Sequence, residues 1–115
     1  MCLRVVIVDD HARFRAQAAE LLTLERFSVV GDAETGARGI ELSRALTPDL
    51  VLLDVGLPDA NGFELVAAMR ATGAAVVLTS SRSSRDYGTR VTDSGADGFI
   101  SKAELSGEAI RSLLM

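Results

Sequence analysis

Apolar residues along the 115-residue chain gather in short runs separated by stretches dominated by polar residues. Leu3 to Val8 (LRVVIV) and Leu50 to Leu53 (LVLL) show neither helical periodicity nor polar alternation. Runs of that kind, bounded by turn residues, predict strands buried on both faces. Phe27 to Gly31, Ala75 to Thr79 (AVVLT) and Gly98 to Ser101 predict three more strands. Between them, His11 to Leu24 sets Phe14, Ala18, Leu21 and Leu22 on one stripe of an amphipathic helix, with Asp10 as its expected cap. Gly36 to Leu46 predicts a weaker helix, diluted by two glycines and stopped at Thr47-Pro48. After the turn Asp59-Ala60-Asn61-Gly62, Phe63 to Ala71 predicts a helix that buries Leu65, Val66 and Met69 and ends by Gly73. Arg85 to Ser94 is a marginal helix, interrupted by Gly88 and with only Tyr87 and Val91 as an apolar face, so mobility is expected there. Ser106 caps the last helix, Leu105 and Ile110 staple its entry, and Leu113 and Leu114 are expected on its buried side, with Met115 in or just after it.

Strict alternation of five strands with five helices, joined by short connections, demands a doubly wound α/β fold: a parallel sheet with right-handed crossovers and helices on both faces. Ligands of such sheets bind outside the carboxyl ends of the strands, where the strand order reverses. Asp9, Asp10, Asp54, Thr79, Ser80 and Lys102 all fall at carboxyl ends of predicted strands. Asp54 is the pivotal one, because it ends the most apolar strand and is therefore held rigidly while facing loops.

Composition narrows the picture without supplying chemistry. The length suits one domain, and 48% hydrophobic with 24% charged residues is ordinary for a globular protein. No apolar run reaches the roughly 18 residues of a membrane span, and Met1 leads directly into the first strand without a signal peptide, so a cytoplasmic location is expected. Cys2 is the only cysteine, which leaves no internal disulfide and no thiolate metal cluster. A net charge of −4 argues against nucleic acid or anionic lipid as a direct partner of this domain. Arginine supplies nearly all of the basic charge, and Lys102 is the one lysine in the chain.

With a strand order of 2-1-3-4-5, Asp9, Asp10 and Asp54 would converge at one edge. Two carboxylates about 4 Å apart repel by roughly 4 kcal/mol at an effective dielectric near 20, so such a cluster invites a divalent cation. Oxygen donors without a Cys or His cluster suit Mg²⁺ or Mn²⁺. Lys102 adds a compact cation, and Ser80 or Thr79 adds a hydroxyl. Together these are the groups that stabilise a phosphoryl group in transfer, with Asp54 as its nucleophile. His11 could touch the same acids, although a histidine at a helix start is commonly just solvated.

VVIVDD at 5–10, DLVLLDVGLPDANGFEL at 49–65, VVLTSS at 76–81 and GADGFISK at 95–102 together resemble the receiver domain of bacterial two-component response regulators, over essentially the whole chain. The DDHARFR stretch is most similar to receivers that carry a LuxR-type helix-turn-helix output. The resemblance implies a flavodoxin-like (βα)5 fold across 1–115. It implies that Asp54 accepts phosphate from a sensor histidine kinase or phosphotransfer protein, that Asp9 and Asp10 bind Mg²⁺, and that the Gly56 carbonyl completes the metal shell. It makes Lys102 the partner of the acceptor and Phe99 the reorienting aromatic, and it admits a homodimer. Family spacing puts the switch hydroxyl at Ser80, whereas the strand ending LT favours Thr79. The implied output is a surface of the fourth helix, fifth strand and fifth helix, acting on an output domain or partner. The implied protein is a switch that assists its own phosphorylation and dephosphorylation rather than an enzyme with a separate substrate.

Each residue also has a plainer reading. The aspartate pair can cap a helix, Asp54 can sit in a turn, Lys102 can be a surface lysine, and Phe99 can be a half-buried strand aromatic. A phosphorylation-independent interaction module is one rival function. An aspartate-nucleophile phosphatase is another, but it would need a second acid two residues after the nucleophile, where Gly56 stands.

Overall fold

Strands β1 (Arg4–Val8), β2 (Ser28–Ala33), β3 (Leu50–Asp54), β4 (Ala75–Ser80) and β5 (Gly98–Ser101) form one parallel sheet in the order β2-β1-β3-β4-β5. Helices α1 (Ala12–Leu24), α2 (Gly36–Leu46), α3 (Gly62–Arg70), α4 (Arg90–Asp93) and α5 (Gly107–Leu114) alternate with them. This is the doubly wound, flavodoxin-like arrangement expected from the alternation. The structure, a computed structural model, describes residues 2–114. The expectations for Met1 and Met115 concern residues outside that range.

The two faces of the sheet carry separate cores. Val6, Val8, Val51, Leu53, Val76 and Leu78 pack with Val66 and Met69 of α3 and Ile40 of α2. On the other face Val5, Ile7, Leu50, Leu52, Val77 and Ile100 pack with Ala18 and Leu22 of α1 and Ile110 of α5. The apolar residues of β1 and β3 are therefore almost wholly buried, each contributing about 1.5–3 kcal/mol relative to exposure. That burial makes the central strands the rigid part of the molecule.

The glycines that weaken α2 as an isolated helix have a packing role. A Cβ on Gly39 would lie 2.7 Å from Val8 Cγ2, and one on Gly36 would lie 2.5 Å from Leu65 Cδ1. Each glycine costs about 1 kcal/mol of helix propensity but lets α2 lie close against β1 and α3. The segment after β4 is different. A 3-10 turn at Ser84–Tyr87 and the four-residue α4 replace a full helix, and no residue from Ser81 through Phe99 is buried. Gly88 adopts a φ of 59° between the two pieces, in line with the interruption expected at that glycine.

Several boundaries and caps differ from the sequence expectation. β2 begins after Phe27, which turns into the core, and runs on to Ala33. β4 extends one residue to Ser80, because Ser80 pairs with Ser101 of β5. Lys102–Glu104 forms an additional 3-10 turn. Asp10 does not cap α1. His11 is the residue at the cap position, without a side-chain cap, and both acids face the pocket described below. Leu113 is not buried but 37% exposed, since the outer side of α5 lies at the sheet edge, where its methyls cover Gly98. Ser106 does cap α5, accepting from the Ala109 N–H at 3.0 Å, and Leu105 packs into the Ile110 cluster as the staple.

Candidate functional site

Asp9 and Asp54 are set at the carboxyl edge by strand register. Val5 to Val8 pair with Leu50 to Leu53, so the residues that follow emerge side by side on the face lined by Ile7 and Leu52. Thr79 pairs with Asp54 on the same face, and Ile100 pairs with Thr79, which brings the following Lys102 to that rim. The ammonium of Lys102 lies 2.7 Å from Asp9 Oδ2 and 3.6 Å from Asp54 Oδ1, over the ring of Phe14 at 4.5 Å. Lys102 is thus nearer Asp9 than the acceptor it was expected to pair with. The reason is local: Asp9 is fully buried, and its Oδ2 has no hydrogen bond of good geometry, so the ammonium provides its only compensation.

Asp9 Oδ1 is satisfied from another side. The His11 N–H donates to it at 2.8 Å, and the His11 ring Nδ1 stands 3.0 Å from it and 3.1 Å from Asp10 Oδ1. Donor atoms of Asp9, Asp10, His11 and Asp54 all lie within 4.8 Å of one another. Arg15 reaches back from α1 to the Asp9 carbonyl at 2.7 Å, fixing the end of β1.

Asp54 is 4% exposed. Its carboxyl is pushed up to about 6 by burial first and by the Asp9 carboxylate second, with Lys102 pulling the other way. Two buried acids with Asp10 and His11 beside them, their donor atoms within 4.8 Å of one another, are a donor set that fits a hard divalent cation. Gly56 follows β3 in the loop, where it forms a bridge with Asn61. Gly62 closes the loop with its N–H on the Val55 carbonyl at 2.8 Å, and a Cβ there would intrude on the Asp54 carbonyl.

The two candidate hydroxyls face opposite ways. Thr79 Oγ1 is buried on the Asp54 face without a hydrogen-bond partner. Ser80 lies on the other face, 2.6 Å from the Tyr87 hydroxyl, and accepts from the Arg82 N–H at 3.1 Å. Tyr87 stacks between Phe63 (5.2 Å between centroids) and Phe99 (5.9 Å). The expected aromatic Phe99 therefore belongs to a cluster joining Ser80 to the poorly buried segment, and not to the acid pocket.

Three participants escaped the sequence reading. Phe14 was assigned only to a helix stripe, yet it seats Lys102. Tyr87 was read as one of two apolar residues of a weak helix. Asp59 was read as a turn residue, but its carboxylate accepts from the N–H groups of Gly36 and Ala37 at 2.8 and 3.0 Å, which hold it below the usual carboxylate range and tie the loop after β3 to α2.

A family model described as the response regulator receiver domain matches residues 5–114. The chain belongs to this family. The receiver domain is 36% identical over 102 residues to the nitrate/nitrite response regulator protein NarL of Escherichia coli, covering 85% of this chain and 47% of that protein. It is 33% identical over 111 residues to the transcriptional regulatory protein DegU of Brevibacillus brevis, covering 94% of this chain and 47% of that one. This receiver chain thus spans about half the length of the relatives it matches. Among solved structures, a LuxR-family two-component response regulator from Aurantimonas superposes with a TM-score of 0.87 at 26% identity, covering 99% of this chain and 86% of that one. A receiver domain ascribed to NarL of Mycobacterium tuberculosis does so with a TM-score of 0.85 at 34% identity, covering 98% and 94%. No helix among the described residues of the receiver is long and apolar enough to cross a membrane.

Proposed function

We propose that this receiver accepts a phosphoryl group on Asp54 from the phosphohistidine of a sensor kinase or phosphotransfer protein. The observation that carries the reading is the burial of Asp54 between Asp9 and Lys102 at the carboxyl edge of the central strand. A carboxyl poised at about 6 is mostly ionised above neutrality. One of its oxygens attacks phosphorus, the P–O bond forms as the P–N bond breaks, and the imidazole leaves. Asp9, Asp10, Asp54 and the Gly56 carbonyl would hold Mg²⁺ or Mn²⁺, which supplies positive charge to the phosphoryl oxygens when bound. Lys102 needs only to swing from Asp9 toward Asp54, about an ångström farther away, to meet the new anion. The same groups would serve hydrolysis of the acyl phosphate.

Ser80 is the hydroxyl that reads the phosphoryl group in this proposal. Its bond to Tyr87 links it to Phe99 and to the exposed segment that precedes β5. Drawing Ser80 toward the phosphate releases Tyr87, and the surface of α4, β5 and α5 shifts between two packings. That surface would address an output domain, a partner or a second copy of the chain. Thr79 is the second reading, favoured by its pairing with Asp54 and its orphaned hydroxyl.

Incubation with acetyl phosphate should label wild type only in the presence of Mg²⁺ or Mn²⁺ and should not label Asp54→Ala. Label that survives in Asp54→Ala removes the assignment. Complete inertness of the wild type would leave a phosphorylation-independent interaction module. Phosphorylation-driven spectral change should vanish in Ser80→Ala and persist in Thr79→Val; the reverse moves the role to Thr79.

A further inference from the structure

His11 is the only histidine in the chain, and it stands beside the acid pocket. Its Nδ1 is 3.0 Å from Asp9 Oδ1 and 3.1 Å from Asp10 Oδ1. A lone pair cannot face two carboxylate oxygens at that range unapposed, so either a proton on Nδ1 or a cation must sit among the three atoms. Neighbouring donors around an octahedral ion with arms of about 2.1 Å are about 3.0 Å apart, and Nδ1 already stands at that spacing from each of the two carboxylate oxygens. The ring carries no helix-capping duty: the His11 backbone N–H already holds Asp9 Oδ1 at 2.8 Å, so the additional Nδ1 contacts with the two acids can open to admit an ion without unmaking the turn. A second sign that the pocket is built for positive charge is the fully buried Asp9 Oδ2, which has no hydrogen bond of good geometry and is met only by the Lys102 ammonium at 2.7 Å.

We propose that His11 Nδ1 is a ligand of the pocket's cation and sets its selectivity, admitting imidazole-accepting ions such as Ni²⁺, Co²⁺ and Zn²⁺ ahead of Mg²⁺. The inference rests on the reading of the acid pocket as a divalent-cation site. An all-oxygen pocket holds Mg²⁺ with several waters and already ranks transition ions above it by the general order of affinities, and one imidazole widens that gap because it supplies a softer donor that Mg²⁺ does not use well. His11 thereby makes the choice of ion a property of this chain's own first helical turn. The His11 side chain is 65% exposed, so the ring can move onto an arriving ion without repacking the core.

The test is calorimetric titration of the untagged chain, in a Cys2→Ser background because Cys2 is exposed, with NiCl₂ and with MgCl₂ separately. The expected result is one Ni²⁺ site at least about tenfold tighter than the Mg²⁺ site, weakened about 10–100-fold in His11→Ala while Mg²⁺ affinity stays within about threefold. In the same chain, the single set of histidine ring proton resonances should broaden at substoichiometric Ni²⁺. Equal Ni²⁺ affinity in wild type and His11→Ala, with Mg²⁺ still bound, would overturn the proposal and leave an ion pair, the pocket itself standing. Equal weakening of both ions in His11→Ala would also overturn it, making His11 a support for Asp9. Failure of both ions to bind wild type would remove the cation pocket together with this inference.

Discussion

Replacing Asp54 by asparagine should stabilise the protein, and by an amount that grows with pH. In the folded state the Asp54 carboxyl is raised from 3.8 to about 6, chiefly by burial and then by Asp9. The native state therefore holds that proton more tightly than the unfolded chain does, and stability falls as pH rises from about 4 to about 6. Each pKa unit corresponds to about 1.4 kcal/mol, so a shift of roughly two units costs about 3 kcal/mol once the group is fully ionised in both states. Linkage puts the cost near 1 kcal/mol at pH 4.5 and near 3 kcal/mol at pH 8. Asparagine keeps the shape and still accepts from Lys102, but carries no charge to desolvate. Urea denaturation of wild type and Asp54→Asn in EDTA, between pH 4.5 and pH 8, should show a gap that widens by about 2 kcal/mol. A gap independent of pH, or one that narrows toward pH 8, would refute the claim that burial beside Asp9 is what strains this carboxylate. Saturating Mg²⁺ should shrink the gap by stabilising the wild type more than the variant, which lacks one of the carboxylate ligands.

Other consequences follow from single contacts. Lys102→Ala strips the compensation from buried Asp9 and should cost about 3–5 kcal/mol near neutral pH by the same denaturation assay, with little recovery in Lys102→Arg because a planar fork replaces a compact ammonium. Thr79→Val swaps a buried, unpartnered hydroxyl for a methyl and should leave stability unchanged or raise it by about 1 kcal/mol. Gly62→Ala places a Cβ 2.4 Å from the Asp54 carbonyl and 2.8 Å from Val55 Cα. It should therefore destabilise the fold by about 1–3 kcal/mol and slow labelling of Asp54 by acetyl phosphate. Tyr87→Phe should speed amide exchange between residues 84 and 95 while leaving β1 and β3 protected, as followed by NMR.

The sheet and the acids were legible because they follow from unambiguous patterns. β1 and β3 are continuous apolar runs, and Asp9 and Asp54 are the polar residues at which those runs stop. Lys102 was legible as the lone lysine at a strand end, although its preference for Asp9 depends on an oxygen left without a hydrogen bond, which no pattern encodes. Ser80 and Thr79 were hard to rank because adjacent strand residues face opposite sides, so an error of one residue in register exchanges their environments. The role of His11 was obscured for a different reason. A histidine following two acids at a helix start reads first as solvent-facing and only second as pocket-lining, and only the turn into α1 brings its ring to the acids. Asp59 could not be read because its partners, Gly36 and Ala37, lie more than 20 residues earlier. Asp10 was misassigned as a cap because cap preference is a local rule, overridden here by the geometry of the neighbouring acid and imidazole.

The unburied stretch from Ser81 through Phe99 divides the molecule into parts of unequal cohesion. A modest free-energy input, of the order of one charge-assisted hydrogen bond at about 1.5–3 kcal/mol, is small beside what holds β1 and β3 together. It is large beside what holds a short turn, one tyrosine hydroxyl and a four-residue helix. Under the proposed function, phosphorylation of Asp54 would therefore redraw one side of the protein's exterior without loosening its foundation. The same imbalance means that substitutions at 81–99 would alter the proposed output surface while leaving the acid pocket in place.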